Sequence, residues 1–136
     1  MQLTPVEITG DPPDIREALA EIGKLRPPGL IVLADPVAFA QRQRLTTFAS
    51  RAKLPAVYPS REYVDAGGLI AYGANWADVF RQAAELVDQI LRGAKPASLG
   101  IRRASRLELV VNLHAARALP VTIPSTLLRR ADRVLE

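Results

Sequence analysis

The chain of 136 residues contains no cysteine. Disulfide staples, thiol nucleophiles and Cys-ligated metal sites are thereby excluded, while the redox compartment stays open. Histidine occurs once, at His114, and the surrounding "NLHAAR" offers no partner at metal-ligand spacing, so an ordinary surface residue is expected. Aromatic residues make up only 5%, and the arginines behind the net charge of +4 are scattered, as in Arg42/Arg44, Arg102/Arg103/Arg106 and Arg129/Arg130/Arg133. A nucleic-acid surface needs a continuous basic stripe, with stacking rings for single strands, so no nucleic-acid partner is expected.

Long apolar runs are also lacking: none approaches the roughly 20 residues that span a bilayer. "MQLTPVEITGD" has neither the basic start nor the apolar core of a secretory signal, which places the chain in the cytoplasm if Met1 is the true start. Phosphate-cradling loops are absent as well. In "GGLIAYG" the glycines precede a strand, whereas a dinucleotide or P-loop cradle needs them after one. "AVYPSRE" has no nucleophile-elbow pattern, and His114 lies in a different segment. No enzymatic activity, metal or cofactor is expected, and there are no internal repeats.

What is present is the balance of an ordinary soluble domain, 49% hydrophobic and 24% charged. "LTPVEI" predicts a first strand, with Pro5 placing it near a sheet edge or a strand start. "GDPPD" follows as a helix start with Asp11 as candidate N-cap. Ile15, Ala18, Leu19, Ile22 and Leu25 then recur at helical spacing until "RPPG" stops them. "GLIVLADP" is a continuous apolar run and predicts a strand buried on both faces. A helix over 37–53, a strand at "LPAVYP", a short turn begun at Ser60, and a strand at "LIAYG" continue the alternation. The Gly67-Gly68 pair supplies the positive φ and close approach needed where that turn passes into a strand. Asn75 caps the most strongly periodic helix, with Trp76, Val79, Phe80, Ala83, Ala84, Val87, Ile90 and Leu91 on one face and Gly93 as its stop. That stripe predicts core, with Phe80, Val87 and Leu91 against the sheet. "RGAKPASLG" is linker-like; "RLELVVNL" reads as a strand, and "IPSTLLRRADRVLE" closes with a short helix. The expected class is α/β, a parallel sheet with flanking helices, with 1–94 as core and 95–136 as a returning tail.

In such folds ligands meet loops beyond the carboxyl ends of strands. Asp35 lies there, able to accept a hydrogen bond from a ligand amine, and Asp before Pro is equally common turn chemistry. Tyr58 and Tyr72 could cover an apolar ligand or serve as buried structural residues. Ser60 and Glu62 could hold a ligand ammonium or cap and charge a helix start; for Ser60 capping is the safer reading.

Taken in order, "REYVDAGGLIAYG", "ADVFRQAAELVDQILRGAKPASL", "LELVVNLHAARAL" and "TIPSTLLRRADRVLE" resemble the C-terminal half of ABC-transporter substrate-binding proteins related to tryptophan-binding lipoproteins. The resemblance implies a lobe of a type I periplasmic-binding-protein fold, with an amino acid or similar small solute held between two lobes and an ABC permease as partner. It also implies a periplasmic or membrane-anchored location for full-length relatives, and it tips Asp35 towards ligand. Pro120 stands where relatives tend to have Gly, and His114 where Lys is usual. The first strand and helix of that lobe find no counterpart ahead of "QLTPVEI", so one incomplete lobe is expected, either binding solute or folding as an orphan fragment. A missing middle strand further predicts a homo-oligomer with exchanged or edge-paired strands and with Leu127 and Leu128 near the interface.

Overall fold

The computed structural model describes residues 2–10 and 13–136. The Asp11 cap expectation lies outside the described residues; Asp14 caps the first helix, α1 (Ile15–Leu25), its carboxylate accepting from the Arg16 N–H at 2.9 Å. Ile15, Ala18 and Ile22 form the buried side of α1, as their spacing predicts.

The sheet alternates with short helices. β1 (Leu30–Ile31) leads into α2 (Pro36–Ala40) and α3 (Arg42–Arg51), then β2 (Ala56–Tyr58), α4 (Arg61–Asp65) and β3 (Ile70–Ala74). α5 (Trp76–Leu91) and a 3₁₀ turn at Pro96–Ser98 precede β4 (Leu107–Asn112), α6 (Leu113–Arg117), α7 (Ser125–Leu128) and β5 (Arg133–Leu135). The five strands lie in the order β1-β2-β3-β4-β5. β1, β2 and β3 are parallel, which fulfils the α/β reading; β4 joins antiparallel to β3, and β5 runs parallel to β4.

Four local expectations need correcting. "LTPVEI" forms no strand; Leu3 is exposed, while Ile8 packs against the core. β1 is two residues long and Ile31 is 56% exposed, so this strand is not buried on both faces. The helix expected over 37–53 breaks at Gln41, whose backbone (φ −104°, ψ 19°) leaves helical geometry and separates α2 from α3. The expected C-terminal helix is the single turn α7, and Arg133–Leu135 pairs with β4 instead, because Asp132 anchors that segment through the Leu109 N–H at 2.9 Å.

The main core cluster lies on one face of the sheet, while Val111, which pairs with Ile70 on the other face, is also fully buried. Ile15, Ala38, Leu45, Ala49, Tyr63 and Val64 from α1 to α4 pack onto Ala56, Tyr58, Ala71 and Val110. Register puts Ile31, Val57 and Tyr72 on the opposite face, where all three are exposed. At the end of α4, Gly67 adopts φ +95°, and a Cβ on Gly68 would stand 2.7 Å from Tyr58 Cε2 and 2.8 Å from Tyr63 O. The Gly-Gly pair thus turns the chain and brings its backbone against the two tyrosines, as its sequence implies.

α5 contradicts its expected burial. None of its residues is buried, and Phe80, Val87 and Leu91 are 69%, 54% and 81% exposed. The helix itself is as predicted, with Asn75 Oδ1 accepting from the Asp78 N–H at 3.2 Å and Gly93 at φ +99° just beyond its end. What fails is the surface it was expected to meet.

Candidate functional site

Two parallel strands deliver the site. β1 runs out to Asp35 at the start of α2, and β2 runs out to Ser60 at the start of α4, so both loops open at the carboxyl edge of the sheet. Asp35 is exposed and caps α2, one carboxylate oxygen accepting from the Ala38 N–H at 2.8 Å. Both readings of Asp35 are therefore compatible with its position: one oxygen serves the turn, and an exposed carboxylate still has acceptor capacity for a donor.

Ser60 behaves differently from the capping expectation. It occupies the cap position of α4 with extended backbone, yet its hydroxyl makes no capping hydrogen bond, and the residue is buried. Among the described residues, Ser60 Oγ, Glu62 Oε2 and Tyr63 OH are buried side-chain atoms with no hydrogen-bond partner. Leaving such a group unpaired costs about 1–3 kcal/mol. Three within four consecutive residues mark a segment whose polar atoms are unsatisfied by the fold itself. Glu62 Oε1 stands 3.7 Å from Arg61, so only that oxygen is committed and Oε2 is left without a partner.

Tyr63 is the residue that sequence reasoning missed. It is fully buried, stacked on Tyr58 at a centroid separation of 5.1 Å and edge-on to Phe39 at 6.0 Å. Burial, with a smaller contribution from the nearby Asp35 carboxylate, pushes its hydroxyl pKa up to about 12, and Arg42 opposes the shift. Asp35, Phe39, Arg42 and Tyr63 are thus neighbours. Arg42 places its guanidinium 4.8 Å from the Phe39 ring centre and donates to the Phe39 carbonyl at 3.1 Å. A signal for Tyr63 existed in "SREYVDAGG": the Tyr63-Val64 pair is the only apolar part of a five-residue helix, so that pair had to face the core.

Of the residues singled out from sequence, Asp35, Ser60 and Glu62 fall at the ends of adjacent strands. Tyr58 sits beneath them, 1% exposed, where burial drives its hydroxyl pKa well above the ordinary tyrosine value. Tyr72 is not brought to this group. The pairing of Tyr58 with Ala71 puts Tyr72 on the other face of the sheet, half exposed.

Two concavities among the described residues lie away from this constellation. An open groove of about 470 Å³ lies between Pro13, Asp14 and the Ala40–Arg44 corner. A cavity of about 10 Å³, no larger than one water, lies beneath Tyr58, Thr46 and Gly68. In the Asp35–Tyr63 group the Asp35 carboxylate is exposed, while Ser60 Oγ, Glu62 Oε2 and Tyr63 OH are buried. Chemically it offers carboxylate and hydroxyl acceptors for an ammonium, a guanidinium for an anion, and the edge of an aromatic pair. Among the described residues no three His, Asp or Glu side chains come together to hold a metal ion, and no helix is long and apolar enough to cross a membrane.

Comparison with known proteins bears on this surface. Solved structures with the same fold include a conserved domain protein from Vibrio cholerae O1 biovar El Tor, at 29% identity and a TM-score of 0.82. An ABC domain from Streptococcus pneumoniae in complex with L-Trp is similar at 23% identity and a TM-score of 0.80. A ligand-free, open substrate-binding protein with adhesive properties from Clostridium difficile is similar at 20% identity and a TM-score of 0.61. The three matches cover 89%, 89% and 90% of this chain but only 40%, 42% and 41% of theirs, so the chain spans about two-fifths of their length. No curated protein sequence matches it. The family described as ABC transporter substrate binding protein matches residues 14–135, nearly the whole chain, and the chain therefore belongs to that family.

Proposed function

We propose that this chain is a solute-binding lobe whose Asp35–Tyr63 surface forms one wall of an interlobe cleft and takes a small amino acid, aromatic ones included. The observation that carries the reading is the run of buried, unpartnered polar atoms at Ser60, Glu62 and Tyr63 beside Asp35 and Arg42. An amino acid supplies the complementary set. Its ammonium donates to Glu62, Ser60 and Asp35, its carboxylate accepts from Arg42, and an apolar side chain lies along Phe39. The family and the L-Trp complex of a structural relative support a ligand of this class.

In this reading the loaded lobe pair closes and the closed form is presented to an ABC permease. Export or anchoring, in the manner of full-length relatives, belongs to the same proposal. The chain spans two-fifths of its relatives, so by itself it contacts only part of a solute and binds in the millimolar range rather than tightly.

Calorimetric titration of a panel of amino acids, with the Asp35→Ala/Glu62→Gln double variant beside the parent chain, tests this. Heat of binding for at least one amino acid, lost in the double variant, is the expected result. Binding that survives both substitutions overturns the site, and silence across the panel at about 10 mM overturns the amino-acid assignment.

A further inference from the structure

β3 is held from both sides, by β2 in parallel and by β4, with which all five of its residues pair, from Ile70 with Val111 to Ala74 with Leu107. Gly73, near its carboxyl end, pairs with Glu108, whose carboxylate accepts from Asn75 Nδ2 at 3.2 Å. Ala71, two residues earlier, belongs to the main core cluster, and strand alternation aims the absent side chain of Gly73 towards the same face. The chain leaving β2 crosses at that point: a Cβ on Gly73 would overlap the Pro59 carbonyl oxygen and stand 2.9 Å from the carbonyl carbon. Gly73 is not among the positive-φ glycines, so space and not conformation requires glycine here.

We propose that Gly73 is a positioning residue for the solute surface: its bare Cα lets the Pro59 carbonyl cross the end of β3, and that crossing sets where Ser60 and Glu62 hold their unpartnered oxygens relative to Asp35 and Tyr63. The inference rests on the reading of the Asp35–Tyr63 surface as the solute site. What would give way to a side chain at position 73 follows from what holds each part. β3 is fixed by hydrogen-bonded strands on both sides. α4 is fixed at its far end, where the Gly68 backbone lies against Tyr58 and Tyr63, and Thr46 Oγ1 donates to the Ala66 carbonyl at 2.8 Å. Residues 59–62 are left to yield, and Ser60 has no side-chain capping bond to restrain them.

The displacement is large on the scale that binding tolerates. Ordinary carbon contacts lie at 3.4–4 Å, so the Pro59 carbonyl must retreat well beyond the roughly 0.5 Å within which a binding group has to be held. Hydrogen bonds span only about 2.7–3.2 Å, and an acceptor moved that far is lost to a donor placed by the rest of the site. Gly73 itself needs no contact with solute; it acts through Ser60 and Glu62.

Gly73→Ala tests this beside Ala71→Gly, a control that loses buried packing in the same strand without crowding the 59–62 segment. Two readouts are taken: backbone amide NMR shifts of the free chains, and NMR titration with the amino acids that bind the parent. In Gly73→Ala the Ser60, Arg61 and Glu62 amides should shift while those of α1 keep their positions, and solute affinity should fall at least about tenfold. Ala71→Gly should lose stability and keep its affinity. Unmoved 60–62 amides overturn the proposal, as does an affinity equal to the parent's or one lost equally in Ala71→Gly. If the parent binds none of the amino acids, the solute reading fails by itself, and the amide shifts still decide whether Gly73 places the segment: moved amides uphold it and unmoved ones overturn it. Should Gly73→Ala not fold, the Pro59→Gly/Gly73→Ala double variant, whose freed segment can yield, is read in the same way.

Discussion

α4 and α5 both follow a strand of the same sheet and both present an apolar side, yet one is submerged and the other stands clear. Five-residue α4 buries Tyr63 and Val64 to 0% and 1% exposure, whereas α5, at 16 residues, buries nothing. The strands they connect explain the difference. α4 joins β2 to the parallel strand β3, and a parallel return must cross back over the sheet, which lays the connection on its face. α5 joins β3 to β4, an antiparallel neighbour that needs no crossover, and a long 92–106 connection gives the helix room to lie away from the core. Apolar periodicity establishes that a face requires cover, and strand direction decides whether its own sheet provides it.

Substitutions on the two helices and their neighbours should separate them. The largest expected effect is at the α4 side: Tyr58→Ala removes the ring on which Tyr63 stacks and should cost about 3–5 kcal/mol in chemical denaturation. Gly68→Ala comes next. Its Cβ would stand within 3 Å of both Tyr58 and Tyr63, so a loss of about 1–3 kcal/mol is expected, read as a lower denaturation midpoint. Phe80→Ala should cost less than about 0.5 kcal/mol in the diluted chain, because the side chain has little cover to lose. A penalty above about 2 kcal/mol would break the comparison by showing that α5 packs on its own sheet.

Tyr63→Phe sharpens it further. Removing an unpartnered buried hydroxyl should leave stability unchanged or raise it by up to about 1 kcal/mol, while weakening solute binding in the calorimeter. If both fall together, the hydroxyl is structural.

The smallest effect is electrostatic and lies outside both helices. The Leu109 N–H donated to Asp132, with the Arg106 guanidinium beside it, holds that carboxyl below the ordinary value of 3.8. A depressed folded pKa contributes stability that is present above 3.8 and lost as pH falls from there through the lower folded value. Acid titration of the Asp132→Asn variant against the parent should show the difference between them shrinking below pH 4. Tyr63 gives the opposite sign. Its pKa, raised from 10.0 to about 12, contributes stability present below pH 10 and lost as pH rises towards 12, visible as tyrosinate absorbance that accompanies alkaline unfolding.

Much of the architecture was legible in residue order. The α1 spacing, the Asn75 cap, the Gly67-Gly68 turn and the alternation of strand and helix each rest on interactions within a few residues, so local sequence suffices to specify them. The site was legible only in part. Asp35, Ser60 and Glu62 announce themselves as polar residues after apolar runs, and the expectation that Ser60 would cap α4 failed because its hydroxyl is buried without a partner. Tyr72 looked equivalent to Tyr58, but strand register sends consecutive side chains to opposite faces, and register is set by partners dozens of residues apart.

The sequence by itself determined that this chain folds as α/β and resembles one lobe of a solute-binding protein, because composition, periodicity and ordered motifs are properties of the chain alone. Only the tertiary structure decided that the main core cluster gathers on one face of the sheet, that β4 enters it antiparallel, that Tyr63 joins Asp35 and Arg42, and that the α5 stripe faces outward. These follow from which strands pair and in which direction, a choice made by contacts distant in sequence and invisible to any local pattern.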